Sequence, residues 1–220
     1  MAYKICQNID ECSDQLKVLI DAFDKGYADY KKGTYSEAQV RIDFLNPLLK
    51  CFGWDVDNEA RKTQLFREVI QEESIDVEEE DKITKKNPDY TLRQFGQRSL
   101  FVEAKKVSID ITTEKAPAFQ TRRYGWSANL PFSVLTNFDR LVLYDCTVKP
   151  ELEDLASHNR YKSFHYTDFL DNLEEIYSIL SFEAIKSGSL TTIDTGELKG
   201  EESFDSHFLN LIENWRQVLA

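Results

Sequence analysis

The stretch NPDYTLRQFGQRSLFVEAKK, residues 87–106, constrains this chain more than any other. Two runs of strand-forming composition flank a turn signal at Gly96, so the segment reads as a β-hairpin with arms at 89–92 and 99–104. Folding the arms about Gly96 sets Asp89 opposite Glu103, on one face of neighbouring strands. Side chains alternate along a strand, so Lys105 shares the face of Glu103 and Ala104 points to the other. Two carboxylates and an ammonium therefore converge. The residues leading to Glu103 are Leu100, Phe101 and Val102, as apolar as a buried strand, and charge at the end of a buried strand needs a reason.

The chemistry of that cluster is specific. Two carboxylates and the main-chain carbonyl of Ala104 suit Mg²⁺, a hard ion that keeps several waters, and Mn²⁺ is expected to substitute. A cation of this kind beside a lysine favours hydrolysis of a phosphodiester, because both offset the charge that develops in the transition state. The alternative is an ordinary cross-strand salt bridge on a solvent face, and Glu-x-Lys alone is too common to decide between them. The joint pattern of Pro-Asp, short hairpin and apolar second arm is the more specific signal.

Around the hairpin the chain alternates helical and strand-like segments. Helical spacing runs over 11–32, and a second amphipathic helix follows a cap candidate at Ser36 and closes at Gly53, with Pro47 expected to bend or divide it. A weak strand is expected at 69–77, a helix at 117–128, two central strands at 132–136 and 140–145, and a helix over 167–186. The expected fold class is α/β, a mixed central sheet of four or five strands flanked by helices. Trp54 and Trp126 read as core or core-edge residues.

With 220 residues and 41% apolar content, one good-sized domain is expected over 1–186. Residues 187–220 read as a linker and the start of a helical connector. Their amphipathic stripe (Phe204, Phe208, Leu211, Ile212, Trp215, Leu219) meets no stop signal, as in the front portion of a longer protein.

The net charge of −12 argues against tight autonomous binding to nucleic acid. Yet residues 82–123 carry ten Lys/Arg against four Asp/Glu, so the hairpin lies in the basic part of an acidic chain. Cys6, Cys12, Cys51 and Cys146 are scattered, without a Cys-x-x-Cys pair, and are expected to be reduced thiols in a cytoplasmic protein. Nothing approaches a membrane span, and His158, His165 and His207 fall outside any motif.

PDYTLR…LFVEAKK resembles the motif of PD-(D/E)xK nucleases, with Pro88, Asp89, Glu103 and Lys105 at the matching positions. SEAQVRIDFLNPLLKCFGWDVDN (36–58) is similar to the upstream helix of restriction-enzyme nuclease domains. AFQTRRYGWSANLPFSVLTNFDRLVLYDC (118–146) is similar to the segment after the motif in type IIG restriction-modification proteins and in the N-terminal region of type I restriction R subunits. The resemblance implies a restriction-endonuclease-like core and a Mg²⁺-dependent DNA endonuclease domain, the N-terminal part of a larger type IIG or type I enzyme. It implies a metal held by Asp89, Glu103, the Ala104 carbonyl and Glu37. From the residues alone, Glu37 is a first-turn acid favoured by the helix dipole. The resemblance also brings Gln120 and Tyr124 towards the site or the DNA backbone, and makes Arg122 and Arg123 phosphate clamps. The implied partners are double-stranded DNA, and methyltransferase, specificity or motor regions beyond the C-terminus or on separate subunits. A transient dimer on DNA is expected, since one active site cuts one strand. Two alternatives stay open: a non-catalytic DNA-binding or assembly domain that keeps the nuclease fold, and a nuclease acting on RNA or single strands.

Overall fold

The computed structural model describes residues 3–79 and 82–193. Its strands are β1 (Val69–Gln71), β2 (Ile75–Glu79), β3 (Lys82–Lys86), β4 (Tyr90–Gln94), β5 (Gln97–Ala104), β6 (Phe132–Thr136), β7 (Arg140–Asp145) and β8 (Arg160–His165). Its helices are α1 (Ile9–Tyr30), α2 (Glu37–Val40), α3 (Asn46–Cys51), α4 (Lys115–Ser127), α5 (Leu173–Leu180), α6 (Phe182–Lys186) and α7 (Ser189–Thr192). Six strands form one mixed sheet in the order β1-β4-β5-β6-β7-β8, while β2 and β3 pair apart from it. Among the described residues only β5 and β6 run parallel. Parallel neighbours need a long crossover, and α4 supplies it.

Alternation along β5 divides the core. Leu100, Val102 and Ala104 join the main cluster, with Leu16, Leu19 and Phe23 of α1 and Ile176 of α5. Phe101 faces the other way, with Tyr124 of α4 and with Ile75 and Val77 of β2. Glu103, two residues on from Phe101, therefore looks towards α4.

The mixed α/β expectation holds, with corrections. The main sheet has six strands rather than four or five. The single strand expected at 69–77 is two strands in different sheets, because Glu72 adopts φ +53 between them and its N–H bonds the Asp89 carbonyl (3.2 Å). β3 and β8 were not anticipated: KITKK and RYKSFH carry too few apolar residues to show a period. The segment 36–53 does divide near Pro47. Ser36 and Gln39 form a capping box on α2, then a π-helical turn spans Arg41–Leu45 before α3. Proline has no N–H to give to the carbonyl four residues back, and the widened turn accommodates that loss. The helix expected over 167–186 is broken at Ser181, whose extended backbone ends α5 and whose hydroxyl caps α6. The stripe 204–219 lies outside the described residues.

Candidate active site

The hairpin brings the acids together by an unexpected route. Phe95 and Gly96 both adopt positive φ (+50 and +82), closing β4 and β5 with a tight two-residue turn. Gln94 pairs with Gln97 and Arg93 with Arg98, a register that would carry Asp89 opposite Val102, on the wrong face. Ser99 is left out of the ladder as a bulge, and beyond it Leu92 pairs with Leu100 and Tyr90 with Val102. Continued by one step, this register sets Asp89 opposite Glu103.

Asp89, just before β4, directs Oδ2 at the backbone N–H of Ala104 (2.8 Å) and Oδ1 at Arg41 Nη1 (3.1 Å). Glu103 is 4% exposed. Its Oε1 accepts from Lys105 Nζ (2.6 Å) and from Gln120 Nε2 (2.7 Å), and Gln120 also donates to Tyr124 Oη (2.9 Å). The Lys105 N–H bonds the Thr136 carbonyl (3.0 Å), extending β5 along β6 and fixing where the side chain starts. Glu37, in the first turn of α2, is half-buried within electrostatic reach of Lys105, Asp89 and Arg41.

Burial dominates the electrostatics. It pushes the Glu103 carboxyl up to about 7; Lys105 opposes the shift and Asp89 adds to it. Asp89 and Glu37 are also raised, mainly by burial. For Lys105, burial disfavours the charged form, but Glu103, Glu37 and Asp89 outweigh it and hold the ammonium above its ordinary value. Glu37, Asp89 and Glu103 face Lys105 and Arg41, with Lys106 acting on Glu37 and Glu72 on Asp89, and these cations only partly offset the burial of the acids.

Glu103 Oε2 is buried with no hydrogen-bond partner among the described residues. A buried carboxylate oxygen in that state is costly and calls for a ligand. No three His, Cys, Asp or Glu side chains among the described residues are gathered so that they could hold a metal by themselves. The donor set is instead a pair of hard carboxylates beside a main-chain segment, which fits an ion that keeps most of its waters, as Mg²⁺ does.

The remaining residues sort themselves. Arg41 is a component the sequence reading missed: it binds Asp89, Glu72 (2.8 Å) and Gln71 (3.1 Å) and lies over the Tyr90 ring. Its signal was the spacing of four from Glu37, which puts both on one helical face. Arg122 is a correction: it is 1% exposed and binds Asp154 (2.7 Å) and Asn159 (3.0 Å), so it braces the fold and does not reach a phosphate. Arg123 lies over the Phe119 ring, 5.1 Å from its centroid. Trp54 is fully buried and Trp126 half-buried. All four cysteines are free and buried, and no helix among the described residues is long and apolar enough to cross a membrane.

The chain is 39% identical over 210 residues to "Type II restriction enzyme and methyltransferase RM.Eco57I" of Escherichia coli. That match covers 94% of this chain and 21% of the relative, so the chain spans about a fifth of its length. No solved structure matches. The family model described as "Type I restriction enzyme R protein N terminus" matches residues 34–152, which hold Glu37, Arg41, Asp89, Glu103, Lys105, Gln120 and Tyr124. The chain belongs to the family of type I restriction enzyme R protein N termini.

Proposed function

We propose that this chain is a Mg²⁺-dependent DNA endonuclease domain of the PD-(D/E)xK type, the cutting part of a restriction-modification enzyme that acts in the cytoplasm. The observation that carries the reading is Glu103: a buried carboxylate with one oxygen unpartnered, clasped by Lys105 and Gln120 and set beside Asp89.

Asp89 and Glu103 would hold the Mg²⁺, with Glu37 and the Ala104 carbonyl as further oxygen donors. The ion would supply Lewis-acid stabilisation of the phosphoryl oxygens and a more acidic water. Lys105 stands where it can orient the attacking water and offset charge on the phosphoryl group in the transition state. Gln120 fixes the Glu103 carboxylate, and Tyr124 in turn holds Gln120. Arg41 keeps Asp89 in place through one oxygen, while the Ala104 N–H holds the other. Sequence recognition and methylation would belong to other parts of a larger protein, in line with the relative's printed name and length. Double-stranded DNA is the proposed substrate, with transient pairing of two copies for double-strand cuts.

Plasmid nicking and linearisation in Mg²⁺ test this reading, with melting curves as the folding control. Lys105→Ala should lower the cleavage rate by at least about a hundredfold, as loss of one preorganised donor does elsewhere, and leave DNA affinity nearly unchanged. Full cleavage by a well-folded Lys105→Ala protein would defeat the mechanism, and a well-folded wild-type chain that does not cleave would leave a non-catalytic assembly domain as the better reading.

A further inference from the structure

Turns usually lie on the surface, but the three residues between β6 and β7 do not. Asn137, Phe138 and Asp139 are all buried, and Phe138 holds φ +67 within the main core cluster. Thr136 does much of the work of closing this turn, since its hydroxyl donates to the Arg140 carbonyl (2.7 Å) and accepts from the Phe138 N–H (3.1 Å). Asn137 Oδ1 adds the Arg140 N–H (3.0 Å), which leaves Nδ2 for another segment. That nitrogen donates to the carbonyl of Ile109 (2.9 Å) and, at longer range, to that of Lys106 (3.4 Å). Two carbonyls on one side and an N–H on the other fix which way the amide faces. Asp139 serves the same segment at one remove: its Oδ2 holds Lys31 Nζ (2.7 Å), and that ammonium donates to the Val107 carbonyl (3.1 Å).

The segment so held, 106–109, is the one into which Lys105 runs. The Lys105 N–H is already tied to the Thr136 carbonyl, so the main chain is pinned before the lysine by Thr136 and after it by Asn137 and Lys31. Its ammonium then meets Glu103 Oε1 at 2.6 Å. We propose that Asn137 is a positioning residue for Lys105, with the Lys31–Asp139 pair as its support, so that the buried turn sets where the lysine stands. The proposal rests on the nuclease reading for what Lys105 does there, while the pinning of the main chain needs neither metal nor substrate. A displacement of about 1 Å in a catalytic group can cost about a hundredfold in rate, so a residue that prevents it acts on turnover rather than on binding.

Two measurements on the full chain test this, with melting curves as the folding control. The first is amide hydrogen exchange without metal. Asn137→Asp keeps the size and the acceptor but sets an oxygen against the two carbonyls. It should speed exchange of the Lys105 and Ile109 amides at least about tenfold and leave Leu100 to Val102 of β5 unchanged. The second is plasmid cleavage in Mg²⁺, where Asn137→Asp should lower kcat at least about tenfold with KM within about twofold. Lys31→Met removes the support from α1 without touching the turn and should shift both readouts in the same direction. Lys31→Arg, which keeps donors for Asp139 and the Val107 carbonyl, should recover most of the rate. Unchanged exchange at 105–109 in the folded variants would overturn the proposal whether or not the chain cleaves, as would unchanged kcat beside a cleaving wild type, or a loss that falls on KM instead. Faster exchange in the variants with no cleavage by wild type would sink the nuclease reading, and with it the catalytic meaning of the clamp.

Discussion

Glu103 carries the largest electrostatic tension in the site, and that tension is measurable without a substrate. Its carboxyl is pushed from 4.5 to about 7, first by burial, with Asp89 adding and Lys105 opposing. A group whose folded pKa is raised holds its proton more tightly in the folded state, so stability falls as pH rises from about 4.5 to about 7. At 1.36 kcal/mol per pH unit, the loss is on the order of 3 kcal/mol. Glu103→Gln cannot titrate. In EDTA, the stability difference between Glu103→Gln and wild type should therefore move in the variant's favour by that amount between pH 4.5 and 7.5, whatever its starting value. Denaturation midpoints across that range decide it, and parallel profiles for the two proteins would show that Glu103 titrates as an ordinary carboxyl. Arg41 is the complement of this residue. Its spacing of four from Glu37 puts the two on one helical face, but only the fold, which brings this turn against the start of β4, makes it the partner of Asp89.

At the scale of elements, the β4–β5 hairpin shows what the sequence discloses and what it withholds. The convergence of Asp89, Glu103 and Lys105 is legible because strand alternation and a central Gly are local facts. How the register is reached is not legible, since two compensating irregularities, the tight turn and the Ser99 bulge, cancel and leave the same pairing as a simple fold about Gly96. Polar edge elements were illegible for another reason. β3 and β8 are held by pairing with neighbours rather than by an apolar stripe of their own. Arg122 misled because a fully buried arginine and a surface clamp look alike in sequence, and Asp154 lies too far along the chain to announce itself. The turn carries its own prediction. Phe95 sits at φ +50 and is 71% exposed, so it bears left-handed strain with little burial to offset it. Asparagine tolerates that conformation, so Phe95→Asn should raise stability by about 0.5–1 kcal/mol. Gly96→Ala should lower it by at least about 1 kcal/mol, because its φ is +82 and a new Cβ would stand 3.1 Å from the Leu65 carbonyl. Urea midpoints that move the other way would refute the turn assignment.

For the molecule as a whole, the site is built by 34–152, the segment the family model matches, but the core is not. The face of the sheet opposite α4 is covered from both ends of the described chain. Leu16, Leu19 and Phe23 of α1 pack in the same cluster as Leu173, Ile176 and Leu180 of α5 and the inner residues of β4 to β6. Phe23 alone touches the rings of Tyr27, Tyr30, Phe44, Phe138 and Tyr166. Backbone bonds secure the closure, from Cys6 N–H to the Lys50 carbonyl (3.0 Å) and from Phe182 N–H to the Phe52 carbonyl (2.9 Å). A fragment cut to 34–152 keeps every acid and cation of the site and strips that cover, together with β8 from the edge of the sheet. Each large apolar side chain removed from burial costs about 1.5–3 kcal/mol. The six just named amount to roughly the whole 5–15 kcal/mol by which a domain is stable. The fragment should therefore show no cooperative thermal transition and no dispersed amide spectrum, whereas residues 1–193 should show both. A fragment 34–152 that melts sharply would mean that the site-bearing half of the sheet folds without its helical cover, and that the flanking helices serve something other than the stability of the core.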